Sequence, residues 1–138
     1  MQTQDLIKYV GVPFTRKGTS FTEGMDCITI IQAYYKELGH DLVLPNYEND
    51  WSTATKVKVY LETMKKLVEE NQLIERVEDL EVDDLVAFGN GKKPSVVVGV
   101  CIEKGKVLYM PHLASSRLIK LNDFWKAKVR YGVRMLWV

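Results

Sequence analysis

A cysteine that follows an aspartate at the start of an amphipathic segment is where residue types and spacing in this chain best suit covalent chemistry. The run Glu23-Gly24-Met25-Asp26-Cys27-Ile28 closes a polar, glycine-containing turn. Apolar residues then recur at helical spacing through Cys27, Ile28, Ile30, Ile31, Tyr34, Tyr35 and Leu38, and Gly39 supplies a stop. This spacing predicts a helix over 27–38, with the Cys27 thiol in its first turn. There the positive end of the helix dipole and the free backbone N–H groups favour thiolate, which is the nucleophilic form. Cysteine is also a small hydrophobe that cores accept, so position alone leaves a structural reading open beside the chemical one. Asp26 fits both, because its carboxylate can cap the helix with or without catalysis.

The other groups that carry chemistry are few. Cys27 and Cys101 cannot build a disulfide framework, and with His40 and His112 as the only histidines no metal-ligand spacing arises. No metal and no other cofactor is expected, and the thiols are expected to be reduced. Cys101 sits in an apolar strand with the parity of Val97 and reads as packing. His40, just after Gly39, reads as a surface residue. Trp51, Trp125 and Trp137 suit either a groove for a peptide or glycan or a partly buried core, and the core is the commoner place for them.

The chain has 138 residues, 46% of them hydrophobic and 27% charged, with a net charge of +1. That length suits one domain over 1–138 with a core of its own. The charge balance gives no reason to expect nucleic acid as a partner, and Lys65-Lys66 and Lys92-Lys93 read as solvated faces. The N-terminus, Met1-Gln2-Thr3-Gln4-Asp5, has no basic region leading into an apolar one, so synthesis in the cytoplasm without a signal peptide is expected. The longest apolar run, 96–102, is far too short to span a bilayer, and no membrane insertion is expected.

The elements that must position Cys27 follow from periodicity. Thr3 can cap a short helix through Val10, closed by Gly11 and Pro13, and a Gly/Ser/Thr-rich loop over 15–24 leads to the Cys27 helix. A second long helix starts at Ser52 or Thr53 and carries the stripe Val57, Tyr60, Leu61, Met64, Leu67 and Val68. The acidic stretch Glu75 to Asp84 reads as a solvated connection. After it the signals are those of strands: Leu85 to Phe88, Val96 to Ile102, a turn at Glu103-Lys104-Gly105-Lys106, Val107 to Met110, and Arg117 to Leu121. Asn122 caps a short helix through Lys126, and Val129 to Val138 ends the chain as a strand. Helices followed by an antiparallel meander give an α+β class, with helices packed on a sheet.

A nucleophile-bearing helix ahead of an antiparallel sheet is the order of papain-like cysteine hydrolases, and particular residues narrow the likeness. Tyr9-Val10-Gly11-Val12-Pro13-Phe14, Gly18, Gly24-Met25-Asp26-Cys27, Gly39 and Leu44-Pro45 resemble the opening of NlpC/P60 domains. Glu81 to Phe88 resembles their Pro-Gly-Asp-Leu strand entry. Val97-Val98-Gly99-Val100-Cys101-Ile102, with Val107-Leu108-Tyr109 after the turn, resembles their histidine-bearing hairpin. The resemblance covers nearly the whole chain, and the stretch Tyr9 to Gly18 is closest to phage tail-associated members. It implies a papain-like NlpC/P60 fold and hydrolysis of peptidoglycan peptide bonds by a Cys–His pair that a third polar residue orients. Cys27 would be the nucleophile.

Three departures accompany the resemblance. Val97 occupies the position of the family's histidine, Phe14 that of the tyrosine in its Pro-Tyr motif, and Tyr109 falls at the orienting position. A thiol without its base loses about 10²–10⁴-fold of acid–base assistance. His112, beyond Tyr109 on the returning strand, is the candidate replacement base, since neighbouring strands lie only about 5 Å apart; an exposed loop histidine after Pro111 is the other reading. Asp26, Phe14 and Val97 would shape the site. Two functions follow: a cysteine hydrolase acting on cell-wall peptide, of phage or prophage origin, or a catalytically degenerate structural component of a phage tail tip. The partners would be peptidoglycan peptide or phage tail proteins, the latter placing the protein in the virion.

Overall fold

The computed structural model describes residues 6–15, 18–42, 53–89, 96–110 and 114–136, with only the backbone of 53–61 and 96–97. A 3-10 turn over Ile7–Tyr9 comes first, and Gly11 follows it at φ +80°, a left-handed conformation that glycine adopts without steric cost. The Thr3 cap lies outside the described residues. Strands β1 (Thr19–Ser20) and β2 (Gly24–Met25) form a small antiparallel pair inside the loop that the sequence leaves irregular. Helix α1 (Thr29–Glu37) is shorter than the periodicity of 27–38 predicts, and Gly39 at φ +89° follows its end. Helix α2 (Thr53–Glu70) begins where expected and buries Met64 and Leu67.

A six-stranded sheet follows: β3 (Gln72–Ile74), β4 (Leu85–Gly89), β5 (Val96–Glu103), β6 (Lys106–Tyr109), β7 (Arg117–Lys120) and β8 (Val129–Arg134). Its order is β3-β8-β4-β5-β6-β7, with every pair antiparallel. Strands β4 to β7 are the expected meander, and β8 comes back between β3 and β4. Gly105 at φ +76° turns β5 into β6. Before β8, helix α3 (Asp123–Lys126) starts as the sequence predicts, with the Asn122 side chain accepting from the backbone N–H of Trp125 at 3.0 Å.

Apolar residues on β4 alternate between two clusters. Leu85 and Ala87 join Val98, Val100, Ile102, Leu108 and Val133 in a large cluster that also holds Ile30, Ile31, Tyr34 and Tyr35 of α1. Val86 and Phe88 join Cys101, Val107, Ile119, Ile74 and Leu80 in a smaller one, with Tyr109 and Trp125 packed against it. Residues of consecutive parity in a strand face opposite ways, so both faces of the sheet carry apolar packing.

The acidic stretch is not simply a solvated connection. Asp84 is 1% exposed and takes the Arg134 guanidinium in two parallel bonds of 3.0 and 2.9 Å, with the Glu81 N–H donating to the same carboxylate at 2.8 Å. Asp83 adopts φ +75°. Its carboxylate accepts the Tyr34 hydroxyl, and its carbonyl accepts the Tyr35 hydroxyl at 2.6 Å. Two carboxylates counted as surface charge therefore join α1, β4 and β8. Their partners are 48 to 50 residues away along the chain, where no local pattern reveals them.

Candidate functional site

Cys27 lies in the turn that leads into α1, two residues before Thr29, rather than inside the helix as its spacing predicts, and Asp26 opens that turn. Its Oδ1 accepts from the N–H groups of Ile28 at 2.9 Å and Thr29 at 2.8 Å, while the Asp26 N–H donates to Thr29 Oγ1 at 2.9 Å. The Ile30 N–H donates to the Asp26 carbonyl at 3.2 Å, the spacing of the first helical bond. This is a reciprocal box with threonine in the distal role, and Cys27 lies within the turn it closes, just ahead of α1. The Asp-x-x-Thr spacing is visible in the sequence, where Thr29 stands among apolar positions.

The chain before Asp26 is held from the side. Met25 N–H donates to the Pro13 carbonyl at 2.9 Å, Thr15 N–H donates to the Met25 carbonyl at 2.9 Å, and Phe14 pairs with Met25 in a parallel bridge. Gly24 has φ +133°, and a Cβ there would lie 2.0 Å from Thr15 Oγ1, so this approach demands glycine. Phe14 and Asp26 are thus both brought to the segment that carries Cys27.

The thiol itself behaves differently from the expectation. Cys27 is partly buried against the larger cluster, and burial pushes its pKa up to about 11, with the negative charge of Asp26 adding to the rise. The cysteine's own backbone N–H acts the other way. Desolvation of the anion outweighs the helix terminus, so the resting group is a neutral thiol. At pH 7 a group of this pKa is ionised in about one molecule in 10⁴.

Tyr109 lies elsewhere. It pairs with Arg117 across the β6–β7 ladder, and its ring sits 5.7 Å from Trp125 and 6.4 Å from Phe88 in the smaller cluster, whereas Cys27 packs with the larger. Val97 is opposite Phe88 in the β4–β5 register. His112, Trp51 and Trp137 lie outside the described residues. Cys101 is buried in the smaller cluster, as the packing reading expects, and its Sγ donates to the Glu103 carbonyl at 3.0 Å. Among the described residues no group of three or more His, Cys, Asp or Glu side chains is placed to hold a metal, and no helix is long and apolar enough to cross a membrane.

No protein-family model matches the chain, and no curated protein matches it by sequence. Solved structures do. The NlpC/p60 domain of the peptidoglycan hydrolase SagA superposes with a TM-score of 0.60 at 17% identity, covering 96% of this chain and 94% of that one. An NlpC/P60 family protein from Bacillus cereus ATCC 10987 gives a TM-score of 0.60 at 24% identity over 99% of this chain and 41% of its own. A protein of the NLP/P60 family from Staphylococcus aureus subsp. aureus Mu50, described as similar to lipoprotein, gives 0.59 at 19% identity over 98% of this chain and 40% of its own. The chain therefore has the NlpC/P60 fold, a mixed arrangement of helices and an antiparallel sheet, and spans about two fifths of the latter two proteins.

Proposed function

We propose that the protein is a cysteine hydrolase that cleaves amide bonds in peptidoglycan peptides, with Cys27 as nucleophile and His112 as base. One observation carries the reading: on a fold shared with NlpC/P60 domains, the Asp26–Thr29 box seats Cys27 in the turn that leads into α1. The Ile28 and Thr29 N–H groups are engaged by Asp26, while the Cys27 N–H lies close enough to its own sulfur to lower the thiol pKa. That N–H is the donor suited to an oxyanion forming beside the sulfur.

The chemistry follows from a thiol that rests protonated. His112 takes the Cys27 proton, and the thiolate attacks the scissile carbonyl carbon. The carbon–nitrogen bond breaks, and the imidazolium returns the proton to the leaving amine. Water, activated by the same imidazole, then hydrolyses the thioester to a carboxylate and restores the thiol. Phe14 and Val97 are the residues that stand where the resemblance places tyrosine and histidine. Tyr109, at the family's orienting position, packs with Phe88 and Trp125 and shapes that end of the sheet.

A second reading has its own support. Val97-Val98-Gly99 stands where the family carries His-Val-Gly, and the Cys27 thiol is raised rather than lowered. Both suit a hydrolase fold kept as a structural part of a phage tail tip, whose partners would be tail proteins in the virion. Peptidoglycan fragments separate the two readings. Turnover by the wild type, lost to a similar degree in Cys27→Ala and His112→Ala, supports the hydrolase, because members of one catalytic unit are not additive. A wild type that turns over none of these fragments supports the scaffold.

A further inference from the structure

Ser116, immediately before β7, is 3% exposed and makes four hydrogen bonds to a segment more than a hundred residues away. Its hydroxyl donates to the Tyr9 carbonyl at 2.5 Å and accepts from the Val12 N–H at 2.8 Å. Its carbonyl accepts from the Gly11 N–H at 3.0 Å, and its own N–H donates to the Val12 carbonyl at 2.9 Å. The segment so clamped continues directly into Pro13, Phe14 and Thr15, which pair with Met25. Met25 precedes the Asp26–Cys27 pair.

Residues 8–15 therefore form a strap along α1. At the far end of the helix Lys8 pairs with Glu37 at 2.5 Å, and midway the Tyr9 ring meets Tyr34 edge-on at 5.6 Å. At the near end the strap holds the turn that presents the thiol. Apolar contacts anchor Tyr9 and Val12 sideways but do not fix their register. The Ser116 hydroxyl does so together with the two backbone bonds, because one atom serves both a buried acceptor and a buried donor that would otherwise lack this partner.

We propose that Ser116 is a positioning residue for Cys27, its hydroxyl locking the strap that holds the nucleophile's turn in place. Its importance for catalysis rests on the reading of Cys27 as nucleophile. Ser116 acts through the strap and touches no reacting atom. Losing its hydroxyl leaves the two backbone bonds to Gly11 and Val12 but strips the Val12 N–H and the Tyr9 carbonyl of their partner, which loosens the pairing at Met25 and lets water reach the sulfur.

The test is the pH profile of iodoacetamide labelling at Cys27, resolved from Cys101 by mass spectrometry. Ser116→Ala is expected to label about tenfold faster at pH 8, its profile moving down from about 11 toward that of an ordinary thiol. Asn122→Ala, which removes the distant cap of α3, controls for lost stability and keeps the wild-type profile. An unchanged profile in folded Ser116→Ala, or an equal shift in Asn122→Ala, overturns the proposal. Should Ser116→Ala not fold, amide exchange in the wild type decides. The Val12 and Met25 N–H groups must open together, and Met25 exchanging while Val12 stays protected refutes the link. Labelling needs no turnover, so an inactive wild type sinks the hydrolase reading and leaves this result standing.

Discussion

Cys27 stands between a helix terminus that favours its anion and a partly buried setting that opposes it, and burial prevails. Its labelling by iodoacetamide should follow a midpoint near pH 11, and at pH 8 it should react well over tenfold more slowly than an unstructured cysteine peptide; a midpoint near 9 would contradict this. Because the thiol pKa is raised on folding, the native state binds this proton more tightly than the unfolded chain. The associated stability is present below about pH 9 and is lost as pH rises through about 11, which urea midpoints across that range will show. Asp26 has two separable effects. Asp26→Asn keeps an acceptor for the cap but removes the charge, so stability holds while the Cys27 midpoint falls. Asp26→Ala removes the cap as well and should cost about 1 kcal/mol in denaturant unfolding. The Asp-Cys placement was legible in the sequence because capping is local. The direction of the thiol's shift was not, because desolvation depends on apolar residues that other parts of the chain bring to the helix.

At the level of elements, strands β4 to β7 and the cap of α3 were readable from β-branched runs, turn residues and a single asparagine. The return of β8 between β3 and β4 was not, since strand partners are chosen by tertiary packing. The same limit hid Asp83 and Asp84. Asp83 holds a left-handed conformation and uses its side chain to bind Tyr34. Asp83→Ala keeps the backbone strain and loses that bond, for a cost of about 2 kcal/mol, whereas Asp83→Gly relieves the strain and costs less. The reverse order of unfolding midpoints would show that the tyrosine link contributes little. Asp84→Ala leaves Arg134 with the Glu81 carboxylate at 3.6 Å and the Asp79 carbonyl, and should cost about 2 kcal/mol, read from the same curves.

Across the whole molecule, the fold persists at 17 to 24% identity to the neighbours described. Packing tolerates such exchange, since many apolar combinations fill one core. Catalysis does not, because one displaced proton acceptor changes the rate by orders of magnitude. A hydrolase with its base moved to His112 and a retired hydrolase used as scaffold would share every strand. They differ in whether the Cys27 sulfur becomes acylated. Mixing the protein with peptidoglycan stem peptides, quenching in acid and measuring intact mass tests this most directly. The account predicts an acyl adduct that maps to Cys27, is discharged by hydroxylamine, and is absent in Cys27→Ala. Peptide cleavage that continues in Cys27→Ala, or a wild type that never acquires the adduct, would contradict it.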